Sequence, residues 1–104
     1  MTDKCINKIT NNKDKFIIFF SEWCRYSMDA IDLLKQNKYP FKGYKIDKIN
    51  GGMQRLLNAF KKNKKIIKFN EHHSTRPIIF YNGKFIGGLQ ELKEFTDNEL
   101  VVRD

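Results

Sequence analysis

At 104 residues, with a 40% hydrophobic share and nine phenylalanines, the chain fits one domain over residues 1–104 that buries roughly two-thirds of its unfolded surface, and it is too apolar to be disordered. Its two cysteines exclude a disulfide framework, and no apolar run approaches the ~20 residues of a membrane span. A net charge of +8 suits an anionic partner. The lysines are scattered, however, with Lys61, Lys62, Lys64, Lys65 and Lys68 as the densest group, so neither nucleic acid nor a membrane is the expected partner.

The opening stretch, MTDKCINKITNN, is polar and lacks the apolar centre of a secretory signal. A reducing, cytoplasmic setting is therefore expected, where thiols stay reduced. Ile6 and Ile9 stand three apart and predict one short amphipathic helix packed on the domain. Phe16-Ile17-Ile18-Phe19-Phe20 is an unbroken apolar run, β-branched and aromatic, the pattern of a central strand covered on both faces. After the SEWCR segment, Met28, Ala30, Ile31, Leu33 and Leu34 recur at helical spacing as far as Lys35 or Gln36, before Tyr39-Pro40 breaks the pattern. A strand across Gly43-Tyr44-Lys45-Ile46 makes this unit β-α-β, hence a parallel pair. Gly51-Gly52 interrupts the chain before Met53, Leu56, Leu57 and Phe60, a second amphipathic helix, while the stretch from Lys61 to Ser74 has no clear periodicity. Pro77-Ile78-Ile79-Phe80-Tyr81 and Lys84-Phe85-Ile86-Gly87 flank Asn82-Gly83, the strongest short hairpin signal. Leu89, Leu92 and Phe95 close the pattern with a short helix.

The order α-β-α-β-α-β-β-α describes an α/β domain, a mixed four-stranded sheet flanked by helices, with its core over about residues 16–95. The ligand crevice of such sheets lies beyond the carboxyl ends of the parallel strands, where Cys24 follows the first strand. In disulfide exchange the nucleophile is the thiolate, and an ordinary cysteine near neutral pH is mostly protonated. The first turn of a helix beginning near Arg25 favours the anion through its uncompensated N–H groups and its dipole, and Arg25 adds positive charge. A lone cysteine is commonly a buried, inert hydrophobe; a strand-to-helix turn is exposed and reverses that expectation. His72 and His73 lie in a polar loop without other ligands at metal spacing, so they read as solvated and no structural zinc is expected.

The run Trp23-Cys24-Arg25-Tyr26-Ser27 resembles the Cys-Pro-Tyr-Cys or Cys-x-x-Ser site of glutaredoxins; Thr75-Arg76-Pro77 resembles their Thr-Val-Pro segment, and Gly87-Gly88 the pair before their last helix. Three motifs in the right order, spanning about Phe16 to Phe95, make this specific. Thioredoxins are the near rival because of Glu22-Trp23-Cys24, but they place another strand and helix before the central strand, and fifteen residues leave little room for both.

The resemblance implies the thioredoxin-like fold and a glutathione-dependent oxidoreductase with glutathione as co-substrate and glutathionylated proteins as partners. Cys24 would be the catalytic nucleophile, taking glutathione from a mixed disulfide, and a second glutathione would release it. Ser27 stands where dithiol members carry a resolving cysteine, so the monothiol route is the one open; Cys5 is a remote alternative with arbitrary spacing. Arg25, Tyr26 and Ser27 would support the thiolate. Thr75, Arg76 and a cis Pro77 would hold glutathione as an added strand, and Gly87, Gly88, Leu89 and Gln90 would dock its γ-glutamyl end. Two departures are Ser21 and Ser74, where many members carry a cation. The expected state is a monomer. A second reading is an iron–sulfur cluster carrier, but the cluster-assembly class has Cys-Gly-Phe-Ser and an inserted loop, unlike the compact SEW segment here. A third is a redox-inactive, partner-binding protein of the same fold, motivated by the charge and by Ser21 and Ser74.

Overall fold

Every residue of β1 (Phe16–Phe20) is buried, as its continuous apolar run requires, and the strand lies inside a four-stranded sheet of order β2-β1-β3-β4. The structure is a computed structural model that describes residues 4–97. β2 (Phe41–Lys45) runs parallel to β1, with Phe16 opposite Phe41 and Phe20 opposite Lys45. β3 (Ile78–Tyr81) is antiparallel to the other side of β1 and continues into β4 (Lys84–Gly87). Asn82 (φ 56°) and Gly83 (φ 75°) both have positive φ, the backbone that a two-residue type I′ turn demands.

The alternation of β1 side chains divides the core into two layers. Ile17 and Phe19 face α1 (Lys4–Thr10), α3 (Gly52–Lys62) and α4 (Lys64–Ile67), together with Ile6, Ile9, Leu56, Phe60 and Ile67. Phe16, Ile18 and Phe20 face α2 (Arg25–Gln36) and α5 (Leu89–Phe95), together with Ala30, Leu34 and Leu92. Much of the first layer is aromatic: the Phe60 ring centroid lies 5.4 Å from Phe19, 5.3 Å from Phe69 and 5.1 Å from Phe80. Tilted and edge-on pairs of this kind add about 0.5–1.5 kcal/mol each beyond the area they bury. Among the described residues, no helix is long and apolar enough to cross a membrane.

Two segments differ from the pattern reading. β2 begins at Phe41 and ends at Lys45, because Ile46 leaves the sheet in a single 3-10 turn (Ile46–Lys48) that buries its side chain completely. The stretch after Lys61 holds α4, a helix too short to show a period. Its Ile67 is buried, as is Phe69 beyond it, while Ile66 is 61% exposed. Lys68 between them adopts the left-handed conformation at φ 59°, which turns the chain so that both flanking apolar residues reach the core.

Candidate active site around Cys24

Cys24 occupies the N-cap position of α2 with extended backbone angles (φ −96°, ψ 118°). Its carbonyl accepts the Met28 N–H at 3.1 Å, and its own N–H donates to the Ser21 carbonyl at 3.1 Å. Its side chain makes no capping hydrogen bond. A serine or aspartate there would satisfy a first-turn amide and stabilise the helix by about 1 kcal/mol, so this position forgoes stability to carry sulfur. The thiol is half-buried, and Sγ points at the Arg76 carbonyl, 3.9 Å away.

The Arg76-Pro77 peptide is cis, as the resemblance implies. Gly88 lies against the same loop, since a Cβ built on it would meet the Pro77 carbonyl oxygen and the His73 ring, each at 3.5 Å. The fold thus brings Cys24, the Thr75–Pro77 loop and the Gly87-Gly88 turn to one end of the sheet.

His73 is not a solvated loop residue. Its Nε2 contacts the carbonyl oxygens of Thr75 (2.9 Å) and Pro77 (3.3 Å), and its ring stands edge-on to Phe85 at 5.1 Å. Both partners are acceptors, so Nε2 carries the proton and staples the two sides of the cis-proline loop. His72 is exposed.

The other candidates divide. Arg25 runs along the helix, its side chain 88% exposed and its Nε 3.6 Å from Asp29. Tyr26 is 64% exposed, and Ser27 is buried with its Oγ accepting the Ser21 N–H at 3.3 Å. Thr75 is exposed, Leu89 packs on the α2–α5 layer, and the Gln90 amide donates to Glu94 at 3.3 Å. Arg76 reaches Ser21: its Nε–H donates to the Ser21 hydroxyl at 2.8 Å while its guanidinium lies over the Trp23 ring, 4.7 Å from the centroid. The Trp23 indole N–H in turn donates to Asp47 at 3.0 Å.

Sequence reasoning missed His73, Ser21 and Glu91 as parts of this architecture. Glu91 accepts the Gly88 N–H at 2.8 Å, so the chain's own carboxylate caps α5 at the turn assigned to the γ-glutamyl end. The Gly88-x-x-Glu91 spacing before an apolar residue was the available signal. Glu91→Ala is expected to lower stability by about 1 kcal/mol. In thermal unfolding that is a midpoint lower by roughly 4–8 °C. Among the described residues, no three His, Cys, Asp or Glu side chains group as a metal site.

Comparison with known proteins agrees with this geometry. The glutaredoxin family model matches residues 16–86. A probable glutaredoxin of Acanthamoeba polyphaga mimivirus is 41% identical over 93 residues, covering 88% of each chain. Glutaredoxin-2 of Schizosaccharomyces pombe is 30% identical over 95 residues, covering 91% of this chain and 77% of the relative. The crystal structure of the holo form of a glutaredoxin from Populus tremula x tremuloides superposes with a TM-score of 0.72 at 25% identity, covering 94% of this chain and 88% of that one. With its thiol, cis-proline loop and glycine turn gathered at one end of the sheet, the chain belongs to the glutaredoxin family.

Proposed function

We propose that this glutaredoxin reduces glutathione mixed disulfides by a monothiol route through Cys24. The observation that carries the reading is a half-buried thiol at the start of α2, facing the cis-proline loop, with Ser27 where a second active-site sulfur would stand. The Cys24 thiolate attacks the glutathione sulfur of a glutathionylated protein; the old S–S bond breaks, the protein leaves as a thiol after taking up a proton, and Cys24 holds glutathione. A second glutathione thiolate attacks the same glutathione sulfur, forming glutathione disulfide and returning the Cys24 thiolate. Each step breaks one S–S bond and forms one, so that overall the protein sulfur is reduced at the expense of the one incoming glutathione. Thr75, Arg76 and Pro77 would carry the peptide backbone of glutathione, and the Gly87–Gln90 segment its γ-glutamyl end. Tyr26 would flank the sulfur, with Arg25 and Ser27 in support. The chain would act as a monomer in a reducing, cytoplasmic compartment.

The test is incubation with a glutathionylated peptide, followed by intact-mass analysis and by turnover with excess glutathione. One glutathione per chain, bound at Cys24 and released by added glutathione, is expected; absence of both adduct and turnover refutes the proposal. Cys5 sits on α1 against the opposite core layer from α2, and no disulfide joins it to Cys24. Cys5→Ser should therefore leave turnover within about twofold of the unaltered protein, since distant sites act independently. A collapse to background in that variant would instead assign Cys5 a resolving role.

A further inference from the structure

We infer that the Arg76 side chain is a specificity-determining contact that receives a carboxylate of the disulfide substrate; the inference rests on the glutathione-dependent reading above. Two contacts hold the guanidinium, and a third holds the ring beneath it. The guanidinium spends its Nε–H on the hydroxyl of Ser21, a residue only 1% exposed, its carbon lies 4.7 Å from the centre of the Trp23 ring, and that ring is itself tethered to Asp47. These contacts orient the group without neutralising it. A serine hydroxyl and an indole face are both uncharged, and among the described residues no carboxylate stands within ion-pair distance of Arg76.

The other cations nearby are already matched: Arg25 with Asp29 at 3.6 Å, and Lys45 with Glu22 at 3.3 Å. Arg76 is different in kind. With Nε occupied, the two terminal nitrogens remain as a planar fork, the geometry that takes a carboxylate in two parallel hydrogen bonds. The indole beneath it preserves the positive charge while excluding water from one face. The fork also sits at the reacting centre, because the carbonyl of Arg76 itself touches Cys24 Sγ and Trp23 directly precedes Cys24. A substrate that places its sulfur on Cys24 therefore brings its neighbouring groups to this guanidinium. The carboxylate has two possible sources, the glutathione moiety and an acidic side chain of the protein that carries it.

The experiment measures single-turnover transfer onto Cys24 by mass, as a function of substrate concentration, for the unaltered protein, Arg76→Gln and Arg76→Lys. Three substrates built on one peptide with blocked ends are used: a hydroxyethyl mixed disulfide of the neutral peptide, its glutathione mixed disulfide, and the glutathione mixed disulfide of a version with glutamate beside the cysteine. Arg76→Gln should raise the half-saturating concentration about tenfold or more for a carboxylate-bearing substrate, as loss of a charge-assisted pair implies, with the saturating rate little changed. Arg76→Lys should recover only part of this, because it restores charge without the fork. An effect on both glutathione substrates but not on the hydroxyethyl one assigns the carboxylate to glutathione. An effect on the acidic peptide alone assigns it to the partner protein. Equal losses on all three substrates, or none on any, overturn the inference. Lack of Cys24-dependent transfer in the unaltered protein overturns the underlying functional reading instead, so the two failures are distinct.

Discussion

Cys24→Ser is expected to reduce turnover of a glutathionylated peptide about a thousandfold or more, to the uncatalysed background, because no other residue at the site offers a sulfur nucleophile. The folded protein should survive the change. Cys24 holds the N-cap of α2 without giving the helix a side-chain acceptor, and a serine hydroxyl at the same place can accept a first-turn N–H. Thermal unfolding should therefore show a midpoint equal to or above that of the unaltered chain, with a gain of up to about 1 kcal/mol. Loss of turnover together with unchanged or raised stability separates a missing nucleophile from a damaged fold. A variant that keeps even a tenth of the activity would mean that the chemistry resides elsewhere.

Gly87→Ala should produce the largest loss of stability at the site. Gly87 adopts φ 140°, a conformation open to glycine and strained for any residue with a Cβ. The added carbon would also lie 2.5 Å from Glu91 Cγ and 2.6 Å from Glu91 Cβ, so turning the carboxylate end of Glu91 aside cannot make room. Backbone strain and overpacking each cost about 1–3 kcal/mol, and together about 2–4 kcal/mol is expected. The denaturation midpoint should fall accordingly, and the half-saturating glutathione concentration should rise as the turn shifts. Combining the change with Glu91→Ala removes the Cγ contact but keeps the Cβ one and loses the cap, so the double variant should fall short of the summed single losses by only part of the overpacking cost. A single variant within about 0.5 kcal/mol of the parent would show that the turn can relax without cost.

The elements most open to sequence reading were those whose signal is local. Five consecutive apolar residues identified β1, Asn82-Gly83 identified the hairpin, and the spacing of Met28 through Leu34 identified α2 and thus the place of Cys24 at its start. The cis peptide before Pro77 was reached through the resemblance, since residue type alone favours trans. What escaped was nonlocal or left no residue-type mark. α4 is four residues long, shorter than one repeat of a recognisable pattern, and it ends on a left-handed lysine where glycine is the usual marker. The Arg76 to Ser21 hydrogen bond joins positions 55 residues apart. Ser21 therefore read only as a missing cation, whereas in the fold it is the anchor for one. Arg25 was read for its charge beside the sulfur alone, and the fold adds a contact with Asp29, four residues on along the helix.

The two outermost strands bear on the excess of positive charge, which the site only partly employs. β2 carries exposed Lys42 and β4 carries exposed Lys84, so each outer strand of the sheet is marked with an ammonium group. Two molecules approaching margin to margin would have to bring like charges together before any main-chain pairing could form between them. Lysines so placed would act as fenders against the stacking of sheet on sheet along their edges.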